Sequence, residues 1–248
     1  MEFINPIMLS HSRTRIGMRG RTFSCVAIVV GALVLSSPDA RGQPRLAAGI
    51  TGDSRWEESI AAFAVADRDH APPPGGVVFV GSSSIRLWDD LENQFNTGRR
   101  IIKRGFGGAN MSDCTRYLDR IVLPYKPRLV LVYAGDNDLA EGKQPHDVFH
   151  DFERFVERLH QALPMARIGF ISIKPSPARA MLIPKIREAN DLILRFTATR
   201  DHVDFIDVFT PMLDSAGHPR RELFLTDALH LNRAGYKLWK TIIARYVR

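Results

Sequence analysis

The run Leu129-Val130-Leu131-Val132-Tyr133 is apolar along its whole length, so neither face of a strand built from it suits water. A strand with one solvated face alternates polar and apolar residues. One that is apolar on both faces is covered above and below, as in a parallel sheet wrapped by helices. Four further β-branched runs accompany it: Val77–Val80, Ile101–Lys103, Ile168–Ile173 and Val203–Val208. Between them the period changes. Pro145 to Leu163 places Val148, Phe152, Phe155, Val156 and Leu159 at helical spacing, and Met181–Thr199 and Arg233–Val247 also read as helices. Strand–helix alternation predicts a single α/β domain, a three-layer α/β/α sandwich around a five-stranded parallel sheet. There are no internal repeats. The one Pro/Gly-rich stretch, Ala71–Gly76, reads as the turn leading from a first helix into the first strand.

Residues 1–42 stand apart from this pattern. Arg13, Arg15, Arg19 and Arg21 precede the apolar run Cys25–Leu35, and Ala40-Arg41-Gly42 follows as a small-residue cleavage point. Basic, apolar, small is the order of a secretory signal peptide, which predicts a secreted or periplasmic protein. The apolar run falls well short of the roughly 20 residues that span a bilayer, which disfavours a retained anchor and predicts no stable membrane insertion after processing. Met1–Ile7 precede a second methionine, Met8, and are open to reading as an added expression tag. Residues 43–248 then form the predicted domain, enough chain for one full core. The chain's formal +7 includes +3 from five arginines against Glu2 and Asp39 in residues 1–42, leaving about +4 on the domain. That charge is scattered, with no basic stripe interleaved with aromatics, so it reads as solubility and not as a nucleic-acid interface. Cys114 is the domain's only cysteine, which excludes an internal disulfide. It lies in the helical stretch Met111–Leu118 and reads as a buried thiol before it reads as a nucleophile.

In open α/β sheets ligands bind beyond the carboxyl ends of the strands. Gly81-Ser82-Ser83-Ser84 follows the first strand, Arg104-Gly105-Phe106-Gly107-Gly108-Ala109-Asn110 the second, and Gly135-Asp136-Asn137-Asp138 the third. Asp227-Ala228-Leu229-His230 comes after the fifth, ahead of the last helix. Hydroxyls, open backbone amides, a carboxamide and an Asp/His pair fall on one edge, which is the set of parts acyl transfer requires. Each has a plainer reading alone. The serines and glycines are ordinary turn residues. The glycines of the second block could cradle a phosphate, but Asn110 breaks the six-residue dinucleotide pattern. Asp136-Asn137-Asp138 hints at a calcium loop without its Gly or its closing Glu. Asp227 and His230 could be a polar turn before a helix capped by Asn232. It is the combination that points to catalysis.

These blocks, in this order, resemble the SGNH (GDSL-like) hydrolases over nearly all of residues 43–248. Val78–Ile85 is similar to that family's nucleophile block, Gly105–Gly108 to its oxyanion-glycine block, Gly135–Asp138 to its Gly-x-Asn-Asp block and Asp227–His230 to its Asp-x-x-His block. The nearest subgroup is the bacterial esterases related to platelet-activating-factor acetylhydrolases. The resemblance implies a flavodoxin-like sheet and Ser83 as nucleophile. It implies an Asp227–His230 pair as base, with an oxyanion hole from the Ser83 and Gly108 N–H groups and the Asn137 amide. It implies no metal or cofactor. One departure stands out: Ser82 replaces the usual Asp of Gly-Asp-Ser, so choosing Ser83 over Ser82 or Ser84 rests on the resemblance. A literal Gly52-Asp53-Ser54 follows no strand; Ser54–Glu57 reads instead as a capping box opening the first helix.

The function expected is hydrolysis of short-chain, acetyl-type carboxylic esters through an acyl-enzyme, with a small-molecule or carbohydrate ester as partner. The alternatives are a polysaccharide deacetylase, a lysophospholipase or thioesterase, and an inactive carbohydrate- or lipid-binding module. His146, His150 and His160 are expected on the surface of the Pro145–Leu163 helix. Trp88, Leu139 and Leu223–Leu225 could line a pocket, although core packing suits them better.

Overall fold

Each of the five β-branched runs predicted as strands becomes a parallel strand in the computed structural model, which describes residues 54–248. The secretory leader predicted for residues 1–42 lies outside the described residues. The strands are β1 (Val77–Gly81), β2 (Ile101–Gly105), β3 (Leu129–Tyr133), β4 (Arg167–Ile171) and β5 (Val203–Ile206). They hydrogen-bond in the order β2-β1-β3-β4-β5, all parallel, with Val77 opposite both Ile101 and Leu129. This is the flavodoxin-like order. The chain leaves the sheet in opposite directions from β1 and β3, and a crevice opens between their carboxyl ends.

Strand alternation divides the core in two. Val78, Val80, Ile102, Val130, Val132, Ile168 and Phe170 face one layer of helices. That layer comprises α1 (Glu57–Asp69), α3 (Met111–Arg116), α4 (Leu118–Ile121), α6 (Pro145–Ala162) and α7 (Ile183–Thr197). Val77, Phe79, Ile101, Leu129, Leu131 and Tyr133 face the opposite side, under α2 (Ser83–Arg86) and α8 (Arg233–Ile243). A further short helix, α5 (Asp136–Ala140), begins directly beyond β3. On α6 the five residues picked out by spacing are all buried. Pro145 opens that helix, and the Gln144 N–H donates to Asp147 Oδ2 at 2.8 Å. Asn232 caps α8, its Oδ1 accepting from the Ala234 and Gly235 N–H groups at 2.8 and 3.1 Å.

Three expectations change. The capping box at Ser54–Glu57 does not open the α-helix: Ser54–Trp56 is a 3-10 turn, Trp56 occupies the cap position without a side-chain bond, and Glu57 pairs with Arg120 at 2.7 Å. An ion pair across to the next helices wins over the local box. His160 is half-buried, its Nε2 3.0 Å from the Ala166 carbonyl, whereas His146 and His150 are exposed. The helix predicted from Met181 starts as a 3-10 turn, Pro177–Leu182, and becomes α-helical at Ile183, where Pro184 suits the first turn.

Candidate active site

The site is built on the end of β1. Gly81 has φ 149°, and a Cβ there would lie 2.0 Å from the Tyr133 carbonyl oxygen, so only glycine lets β1 run beside β3 to its tip. The chain turns immediately into α2, whose first residue is Ser83. Of the three adjacent hydroxyls, Ser82 and Ser84 are buried and their Oγ atoms find no partner among the described residues. Ser83 alone of the three meets the imidazole, with Oγ 3.1 Å from His230 Nε2.

The other side of the ring is held by its own loop. Asp227 Oδ1 accepts the Leu229 and His230 backbone N–H groups at 2.9 and 3.0 Å, and Oδ2 lies 2.6 Å from His230 Nδ1. A carboxylate only accepts, so Nδ1 carries the proton and Nε2 is left as the acceptor for the Ser83 hydroxyl. The imidazole bond first, then the two backbone amides, pull the Asp227 carboxyl down to about 2. It is therefore anionic throughout the neutral range. Ala228 takes a left-handed φ of 58° to bring the two side chains to one side. Tyr236 of α8 donates to the Ser84 carbonyl at 3.1 Å, joining the helix after this loop to the start of α2.

Facing Ser83 are the turns after β2 and β3. Gly108 has φ 78°, and its missing side chain leaves room for the Trp56 ring, which would sit 3.2 Å from a Cβ. The Gly108 N–H makes no hydrogen bond among the described residues, and the Ser83 N–H, at the start of a helix, has no acceptor within it. Asn137 Nδ2 donates to the Ala109 carbonyl at 3.1 Å, and its Oδ1 accepts from Arg179 at 3.0 Å. Together Trp56, Ser83, Gly108, Asn137, Leu229 and His230 line an open cleft of about 490 Å³.

The structure thus brings together Ser83, Gly108, Asn137, Asp227 and His230 from two short helices and two loops. It keeps Cys114 away: burial, with nearby Asp113 and Asp138, pushes that thiol well above its ordinary range, so it stays protonated and inert. The calcium reading of Asp136–Asp138 fails on its partners. Asp136 is paired with Lys174 and Arg179, and Asp138 accepts from Lys143 at 2.8 Å, so the protein's own cations occupy both carboxylates. Leu139, Leu223 and Phe224 are core. Trp88 and Leu225 border a separate, larger groove of about 1170 Å³ beside Tyr236, which Ser83 and His230 do not line.

Sequence reasoning missed the residues behind Asn137. Lys174 is buried, donating to Asp136 Oδ2 at 2.9 Å and to the Tyr133 hydroxyl at 3.0 Å, and Arg179 Nη1 lies 3.0 Å from the same Asp136 oxygen. Burial alone would raise the Asp136 carboxyl, but Lys174 and then Arg179 outweigh it and its pKa is lowered. The signal was present: a lysine directly after the apolar run Ile168–Ile173 stands at the same edge as the other candidates.

A doubly covered parallel sheet with a Ser–His–Asp chain at its switch point defines a carboxylic ester hydrolase. The sequence profile of the GDSL-like lipase/acylhydrolase family matches residues 49–238, and the chain belongs to that family. Among solved structures it is similar to a Streptococcus pneumonia protein described as a platelet activating factor, with 23% identity over 77% of this chain and 92% of that one, TM-score 0.69. A GDSL-like lipase of Bacteroides thetaiotaomicron shares 22% identity over 76% of this chain and 96% of its own, TM-score 0.63. A carbohydrate esterase family 3 protein of Talaromyces cellulolyticus shares 16% over 70% and 96%, TM-score 0.56. No curated protein matches the chain.

Proposed function

We propose that the chain is a secreted serine esterase that removes small, acetyl-type acyl groups through an acyl-enzyme. The observation that carries this is the unbroken path from Ser83 Oγ to His230 at 3.1 Å and on to Asp227 at 2.6 Å. His230 Nε2 takes the Ser83 proton as Oγ bonds to the ester carbonyl carbon. Asp227 holds the tautomer and stabilises the imidazolium. The carbonyl oxygen, now negative, is met by the Ser83 and Gly108 N–H groups and by the Asn137 N–H left over from Ala109. The C–O bond to the leaving alcohol breaks as His230 returns its proton to that oxygen. Water then repeats the sequence on the acyl-serine, releasing the acid and restoring the hydroxyl.

The cleft supports a small acyl group. Among the described residues, its only large apolar lining residues are Trp56 and Leu229. A long acyl chain gains about 0.8 kcal/mol for each buried CH₂, and this cleft has little surface on which to gain it. The open side favours a second reading: Asp227 is 46% exposed, so an alcohol of any size, including an acetylated polysaccharide, can approach the triad. The secretory leader agrees with either substrate. Initial rates on nitrophenyl acetate, butyrate, octanoate and palmitate test the acyl preference, and acetate release from acetylated xylan separates the two leaving groups. Highest kcat/KM on acetate is expected, whereas a preference for octanoate or longer overturns the small-acyl reading.

A further inference from the structure

We infer that Arg179 is a positioning residue that selects and holds the orientation of the Asn137 amide from which the oxyanion donor comes. The inference deepens the esterase reading above and rests on it.

An asparagine amide turns about a broad, roughly two-fold torsion, so its two ends exchange unless partners discriminate between them. Both partners here do. The Ala109 carbonyl can only accept, and it lies 3.1 Å from Nδ2. The Arg179 guanidinium can only donate, and its Nη2 lies 3.0 Å from Oδ1. The opposite orientation would set oxygen against oxygen at one end and N–H against a cation at the other. With Ala109 taking one hydrogen of Nδ2, the second remains for the cleft that Asn137 lines. The guanidinium also draws electron density toward Oδ1, which polarises the N–H bonds and strengthens that donor.

Arg179 is itself held from behind. Its Nη1 lies 3.0 Å from Asp136 Oδ2, which takes a 2.9 Å bond from the buried Lys174. Two cations against one carboxylate leave a net positive charge behind the position where the oxyanion develops, the sign that favours it. The backbone of the same turn reaches the base: the Ala178 N–H donates to the Ala228 carbonyl at 3.0 Å, between Asp227 and His230. One short segment therefore ties the Asn137 amide to the loop that carries the imidazole.

A double-mutant cycle on the full chain tests this, with kcat and KM for nitrophenyl acetate and thermal midpoints for Arg179→Met, Asn137→Ala and the double variant. Methionine keeps most of the arginine's volume and removes its donors. Loss of one oxyanion donor costs about 10²–10³ in rate, so misorienting it should lower kcat by about 10–100-fold with KM nearly unchanged. In the Asn137→Ala background Arg179→Met should change kcat less than about twofold, because no amide remains to orient. Arg179→Lys retains a charged donor and should recover part of the loss, and it serves as the folded comparison if Arg179→Met is unstable. Losses that multiply in the double variant, or full activity in Arg179→Met, overturn the positioning role. Full activity in Asn137→Ala alone removes the oxyanion assignment itself, a separate failure.

Discussion

Asp227→Asn changes one atom, and the loop geometry dictates the consequence. Two backbone N–H groups, of Leu229 and His230, point at Asp227 Oδ1 from 2.9 and 3.0 Å. Only the amide oxygen can satisfy them, so the loop forces the new NH₂ group toward His230 Nδ1. Donor would then face donor. The ring relieves this by moving its proton to Nε2, the nitrogen that must accept from Ser83, and the base is lost although nothing has moved. Where the triad carboxylate is buried this exchange costs about 10⁴ in kcat. Asp227 is 46% exposed, so water screens the electrostatic part of that loss, while the tautomer part persists. We expect kcat to fall roughly 10³-fold, with a thermal midpoint close to that of the parent because the turn keeps both backbone anchors. Steady-state hydrolysis of nitrophenyl acetate, run beside a melting curve, reads both. Activity within tenfold of the parent in a well-folded variant would refute the reasoning that Asp227 sets the tautomer.

Ser83→Ala should abolish both turnover and labelling by a fluorophosphonate probe while Ser54→Ala retains them; a probe mapped to Ser82, Ser84 or Ser54 moves the nucleophile elsewhere. Asp136→Asn should destabilise the fold by about 3–5 kcal/mol, since Lys174 is left buried without its full counter-charge. The pH dependence follows from the same pair. The Asp136 pKa is lowered in the fold from its ordinary 3.8, so its contribution is present above that value and lost as pH falls through the folded one. Lys174 is raised from 10.5, so its share holds below that value and is lost as pH rises through its folded pKa. The parent's midpoint should therefore decline below about pH 4 more steeply than that of Asp136→Asn, and parallel declines would count against the pair. Gly81→Ala should cost more than about 3 kcal/mol, because its Cβ would meet a β3 carbonyl that cannot retreat without opening the sheet; a soluble variant with an unchanged melting curve would contradict that.

Most of the fold was legible because its central strands, β1 and β3, are buried along their whole length, and such strands advertise themselves by composition alone. Boundaries were less so. β4 and β5 stop two residues short of the runs Ile168–Ile173 and Val203–Val208, because ladder pairing ends before apolarity does. The short helix Asp136–Ala140 carries too few residues for a periodic signal. Ser54–Glu57 was misread as a cap because local pattern competes with contacts made 63 residues away, here the pairing of Glu57 with Arg120.

From sequence alone came the alternation of strands and helices, and with it the sheet edge on which Ser83, Gly108, Asn137, Asp227 and His230 must fall, since a parallel strand always delivers its next residue to the same end. Tertiary structure decided which atoms meet. Which of three serines faces the imidazole depends on a contact across 147 residues, and which way the Asn137 amide points depends on Arg179, 42 residues further on. Hydropathy carries no record of such contacts, because a hydrogen bond depends on distance and direction between chain segments and not on how greasy either one is.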